Sequence, residues 1–173
     1  GTFDCFPDEL VRAIEREAGV HFIGNGRHSG TAILVELGPE HLRTGHPILY
    51  TSADSVLQIA AHEEIIPVER LYEICRTARQ LADSYRIGRV IARPFVGAPG
   101  SFQRTARRHD FSLSPPPTIL TKLKAAGVSV ISVGKVADIF AGEGITISLP
   151  TENNRDGREK IMERWESSGD WLL

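Results

Sequence analysis

Pro115-Pro116-Pro117 constrains the fold of this chain more than any other stretch. Three consecutive prolines have no backbone donor and hold φ at about −65°, so neither a helix nor an interior strand passes through them. They form a stiff, extended connector. The chain of 173 residues is therefore expected as two pieces, 1–116 and 117–173. Helical and strand-like patterns alternate in both, which predicts an α/β fold.

In the first piece, Pro7-Asp8-Glu9 opens a helix whose buried face is Leu10, Val11, Ile14 and Ala18 and which Gly19 stops. A short strand is predicted over 20–23, and Gly24-Asn25-Gly26-Arg27-His28-Ser29-Gly30 reads as an ordinary Gly-rich loop without phosphate-loop spacing. A helix follows over 31–37, ended by Gly38-Pro39. Ile48-Leu49-Tyr50-Thr51 predicts a strand. The helical spacing of Val56, Ile59 and Ala60 predicts a short helix after it. Between them Ser52-Ala53-Asp54-Ser55 makes a strand-to-helix turn, where Asp54 or Ser55 either caps the helix or faces a ligand. Pro67 then starts a long amphipathic helix with Val68, Leu71, Cys75, Ala78 and Ala82 inward. A strand over 88–97 ends in a Pro/Gly loop.

The strongest physical signal lies next to that strand. From Ser84 to His109 there is no Asp or Glu, yet there are six arginines, Arg86, Arg89, Arg93, Arg104, Arg107 and Arg108. Unbalanced guanidiniums at strand ends and in loops suit a phosphate or carboxylate, because their fork matches the oxygens. Arg93, placed at a strand end before a loop, is the leading candidate, and Arg86 reads as a solvated charge. Arg108-His109-Asp110 makes no catalytic pair by adjacency, since neighbours on a strand point to opposite faces. Without further ligands at suitable spacing it makes no metal site.

The second piece reads as a helix over 118–126, a strand over 128–133, a helical turn reaching Phe140 and a helix ending near 168. Lys135 falls just past the strand's carboxyl end, the functional edge of a parallel sheet. Trp171-Leu172-Leu173 looks like the start of another buried strand, so the core is expected to continue beyond it. With Gly1 in place of an initiator Met, the chain is expected to be a processed or excised piece. A net charge of −2 supplies no global attraction for nucleic acid or membrane. Cys5 and Cys75 are far apart and form no redox motif, which predicts reduced thiols and a cytoplasmic setting.

Four blocks, taken in order, resemble one family. They are Thr51-Ser52-Ala53-Asp54-Ser55 with Gln58-Ile59-Ala60-Ala61-His62-Glu63-Glu64, and Val90-Ile91-Ala92-Arg93-Pro94-Phe95-Val96-Gly97. Then come Arg104-Thr105 with Arg108-His109-Asp110, and Gly134-Lys135-Val136-Ala137-Asp138-Ile139-Phe140 followed by Gly142-Glu143-Gly144-Ile145-Thr146. The ordered set resembles the bacterial phosphopentomutases of the alkaline phosphatase superfamily. Arg107 and Phe111 depart from it, standing where the family usually has Asn and Tyr.

The resemblance implies a cap domain with its own β-sheet flanked by helices over 1–116, and a partial core segment over 117–173. It implies an enzyme that interconverts ribose 1-phosphate and ribose 5-phosphate, and the deoxyribose pair, through a phosphothreonine and with a bisphosphate activator. Two Mn²⁺ ions belong to that core. The nucleophile and the metal ligands would lie outside these residues, so no catalytic or metal-binding residue is expected here and the isolated chain is expected to be inactive. Ser52, Asp54 and Val56 would face the sugar, and Arg93, Arg108 and Lys135 would hold phosphate. No nucleic acid or membrane partner is implied. The alternatives are a non-catalytic phosphosugar-binding module, or the cap of another mutase of the superfamily.

Overall fold

The computed structural model describes residues 4–52 and 56–166, together with the backbone of 171–172. The chain forms two compact units, Gly1–Phe111 and Ser112–Leu173, with the three prolines near the start of the second.

The first unit consists of α1 (Asp8–Ala18), β1 (Ile23–Arg27), α2 (Ala32–Thr44), β2 (Ile48–Thr51), β3 (Leu57–His62), α3 (Val68–Ala82), β4 (Arg89–Val96), β5 (Gln103–Arg104) and β6 (His109–Ser112). Its sheet runs β1-β2-β3-β4-β5, with β6 also pairing β4. β1 and β2 are parallel, β3 and β4 are parallel, and β2 meets β3 antiparallel. The sheet is thus two βαβ units set head to tail. The near-universal right-handed crossover, applied to units of opposite direction, places α2 and α3 on opposite faces. On one face Leu49, Leu57, Ile59, Val90 and Ala92 pack with Leu10 and Ile14 of α1 and Leu71, Ile74 and Cys75 of α3. On the other, Ile48, Tyr50, Ala60 and Phe95 pack with Ile33 and Leu34 of α2 and with Phe102.

α1, ended by Gly19 in the left-handed region at φ 63°, and α3, opened by Pro67, follow the sequence pattern. The helix expected from Val56 is instead the strand β3, and the reason is burial. All six residues of β3 are inaccessible, so both faces are covered and the apolar run carries no period that separates strand from helix. The first strand begins later than the expected 20–23 and continues into the Gly-rich stretch as Ile23–Arg27. α2 runs on through Gly38 and Pro39 to Thr44. There a Cβ on Gly38 would lie 2.3 Å from the Phe102 ring, so the bare glycine lets that ring close the core.

β1 survives its glycines because Asn25 is the extra residue of a bulge between Gly24 and Gly26. At φ 85° it accepts from the Phe6 N–H through Oδ1 at 2.8 Å, and its Nδ2 donates to the Phe6 carbonyl at 2.9 Å. That clamp seats the fully buried Phe6 in the core. Asn25→Ala should destabilise the unit by about 2–4 kcal/mol, from two lost hydrogen bonds and from placing in the left-handed region a residue that tolerates it less well than Asn. Asn25→Gly, which removes the strain but also the bonds, should cost about half as much. Urea midpoints test this; equal losses would mean that the strain contributes nothing.

The second unit consists of α4 (Ile119–Ala125), β7 (Ser129–Val133), α5 (Val136–Ile139), β8 (Ile147–Leu149), α6 (Asn154–Glu166) and β9 (Trp171–Leu172). A capping box starts α4: the Thr118 side chain accepts from the Leu120 N–H at 3.2 Å, and Thr121 Oγ1 accepts from the Thr118 N–H at 2.9 Å. The strands form a parallel sheet in the order β8-β7-β9. Burial here is thin. Val130, Ile131 and Ile145 are covered, whereas Ile119, Ile139 and Trp165 are 64%, 68% and 70% exposed. An apolar groove of about 510 Å³, lined by Leu120, Val130, Val136, Phe140, Ile145 and Ile161, opens on the same unit. No helix among the described residues is long and apolar enough to cross a membrane.

Candidate functional site

Side chains alternate across a strand, so Tyr50 on β2, Gln58 on β3 and Arg93 on β4 share the sheet face that carries α2. α2 covers Ile48, Ala60 and Phe95 at one end of that face. At the other end Tyr50 and Gln58 lie opposite each other in register, both buried. Arg93 is an interior residue of β4, not the strand end that the following Pro and Gly suggested. The strand tolerates Pro94, whose carbonyl accepts from the Thr105 N–H at 3.1 Å, and continues to Val96.

Arg93 is half-buried and donates from Nε to Gln58 Oε1 at 3.0 Å. Burial pushes its pKa below the usual arginine value, and the Arg108 and Arg104 guanidiniums push the same way. Tyr50 and Asp110 oppose them. Arg104 lies opposite Phe95 in the β4–β5 register, hence on the same face, and donates from Nη2 to Tyr50 Oη at 3.2 Å. Burial raises the Tyr50 phenol above its ordinary pKa although Arg104, Arg93 and Arg108 all favour the phenolate. The ring therefore remains a neutral phenol.

Arg108 forks onto Asp110, with Nε to Oδ1 at 2.7 Å and Nη2 to Oδ2 at 2.6 Å. Arg89 reaches the same carboxylate at 3.3 Å. Arg107 is drawn away to Glu63 at 3.0 Å. The surplus of arginines thus resolves into Arg93, Arg104 and Arg108 around one patch, with Arg89 sharing Asp110 beside it, Arg107 drawn to Glu63 and Arg86 exposed. Such a patch is suited to an anion with several oxygens, because the planar donors of a guanidinium match them.

No family model matches the chain. It is, however, 54% identical over 164 residues to the phosphopentomutase of Caldanaerobacter subterraneus subsp. tengcongensis. That alignment takes in 94% of this chain and 42% of the relative, so the chain spans less than half the relative's length. Over nearly its whole length the chain is thus similar to one part of a phosphopentomutase.

Of the residues that the phosphopentomutase resemblance points to, Arg93 and Arg108 come together in the first unit, close enough for their charges to repel. Ser52 follows β2 and is half-buried, and Val56, just ahead of β3, is 4% exposed. Asp54 lies outside the described residues. Lys135 belongs to the second unit, exposed directly after Gly134 at the carboxyl end of β7. It lines an open cavity of about 850 Å³ with Asp138, Thr151, Asn153 and Arg158.

Tyr50 and Gln58 were not among the sequence candidates, and Arg104 was counted only among the six unbalanced arginines. A signal for Gln58 existed, since it is the one polar residue between Val56 and Ala61, but a helical reading of that run hides which face it occupies. Among the described residues no group of three or more His, Cys, Asp or Glu side chains is gathered to hold a metal ion. The described residues therefore do not fit the manganese pair expected from the resemblance.

Proposed function

We propose that this chain is the sugar-phosphate-binding part of a phosphopentomutase. In this reading 1–116 is the cap and 117–173 a segment of an alkaline-phosphatase-like core. The whole enzyme is an isomerase of pentose phosphate metabolism in the cytoplasm. It interconverts ribose 1-phosphate and ribose 5-phosphate, and the deoxyribose equivalents, by phosphoryl transfer through a phosphothreonine with a bisphosphate activator. Its two Mn²⁺ ions and its nucleophile are supplied by residues outside this chain. The observation that carries the reading is the 54% identity over 164 residues to a curated phosphopentomutase. The arginine patch supports it independently of the alignment.

The roles assigned within the chain follow from that reading. Arg93 and Arg108 hold phosphate in the cap, and Lys135 holds phosphate in the core segment. Ser52, Asp54 and Val56 face the sugar.

The test compares two polypeptides in one assay with ribose 1-phosphate, Mn²⁺ and a bisphosphate activator. The full-length protein should form ribose 5-phosphate, and the pure 173-residue chain should form none. An inactive full-length protein would overturn the activity, and turnover by the short chain would overturn the division of labour.

A further inference from the structure

Beneath the arginine patch lies a buried polar layer. Gln58 is 3% exposed in a strand whose other core positions are mostly aliphatic, and an amide placed there must find a partner. It finds Arg93, whose Nε–H is taken by the Gln58 oxygen at 3.0 Å. A guanidinium has donors on three nitrogens; with Nε held, the two terminal nitrogens keep a fixed plane and present the rest. Among the described residues, neither Nη1 nor Nη2 of Arg93 holds a hydrogen bond.

Arg104 is held from two sides. Tyr50, fully buried, offers its phenol oxygen to Nη2 at 3.2 Å. On the other side a Cβ added to Gly30 would fall 1.4 Å from the same Nη2, so the guanidinium occupies space that only glycine leaves. Tyr50 and Gln58 are direct cross-strand partners, so the two anchors share one rigid rung of the β2–β3 ladder. Two like charges anchored to such a rung gain from an anion that both can reach.

We infer that Gln58 and Tyr50 are positioning residues that aim Arg93 and Arg104 at one phosphate, and that Arg104 is a further binding residue of that site. The inference rests on the phosphosugar reading above. The anchors are neutral: they direct the forks without diminishing the charge that the phosphate meets, as a buried carboxylate would.

Two double-mutant cycles on the full-length protein test it, with KM for ribose 5-phosphate and the thermal midpoint read for every variant. Gln58→Met keeps the volume and removes the acceptor; it should raise KM roughly tenfold in the native background and have no further effect once Arg93→Ala is present. Tyr50→Phe should raise KM about fivefold, again only while Arg104 is intact, and Arg104→Ala alone should raise it at least about tenfold. Additive effects in either cycle would mean a packing role and overturn the inference. If Gln58→Met does not fold, the Tyr50 cycle decides. A KM unmoved by Arg93→Ala itself would instead withdraw the phosphosugar reading, and the positioning layer with it.

Discussion

Replacing Arg93 with Ala in the full-length protein is expected to lower kcat/KM for ribose 5-phosphate by roughly ten- to hundredfold, the equivalent of about 1.5–3 kcal/mol for a charge-assisted interaction. The expectation rests on a guanidinium that is half-buried, pinned by Gln58 and surrounded by two like charges. Arg93→Lys should recover only part of the loss. An ammonium keeps the charge, but it cannot accept the same anchor at Nε and still present two terminal nitrogens in a plane. Arg86 is the internal control: it is exposed and follows the single helical turn Asp83–Tyr85. Arg86→Ala should change kcat/KM little, and what change there is should fade with added salt. Equal losses at Arg86 and Arg93 would indicate a diffuse basic surface and remove the specific site.

A large effect on stability is also expected at His41. Its ring is fully buried, Nε2 accepts from the His62 backbone N–H at 2.9 Å, and Nδ1 is 2.7 Å from the His46 carbonyl. Since Nε2 accepts, the proton resides on Nδ1 and donates to His46, and the ring is neutral. It thereby ties the end of α2 to the end of β3. His41→Phe leaves that amide and that carbonyl unpaired, which should cost about 3 kcal/mol at pH 8.

The same site makes stability depend on pH. Burial is the main cause that lowers the His41 pKa from 6.5, with the His46 hydrogen bond opposing it. The unfolded chain therefore takes up this proton first as pH falls, so acid favours unfolding. The contribution is complete above pH 6.5 and is lost as pH falls through the lower, folded-state pKa. The gap in urea midpoint between the native protein and His41→Phe should accordingly narrow below that pH. A gap that stays constant down to pH 5 would show that His41 does not couple folding to protonation.

What was legible in the sequence is what local chemistry decides. α1 carries its acids at the start and its glycine at the end, and α3 carries an unbroken apolar stripe after Pro67; each is specified within its own few turns. The excess of arginine from Ser84 to His109 is also a property of the chain alone, and it points to an anion before any fold is known. Tertiary structure decided the rest. β3 could not be told from a helix because a strand covered on both faces shows no period, and only pairing with β2 and β4 makes it a strand. Gly24-Asn25-Gly26 became a strand because Asn25 found the Phe6 backbone, nineteen positions away. Which arginines meet was likewise settled by register: Arg104 reaches the patch because it stands opposite Phe95, and Arg107 does not because Glu63 holds it. Composition supplied the charges, and strand pairing chose which of them act together, because hydrogen-bond register determines the face and the neighbours of every side chain it carries.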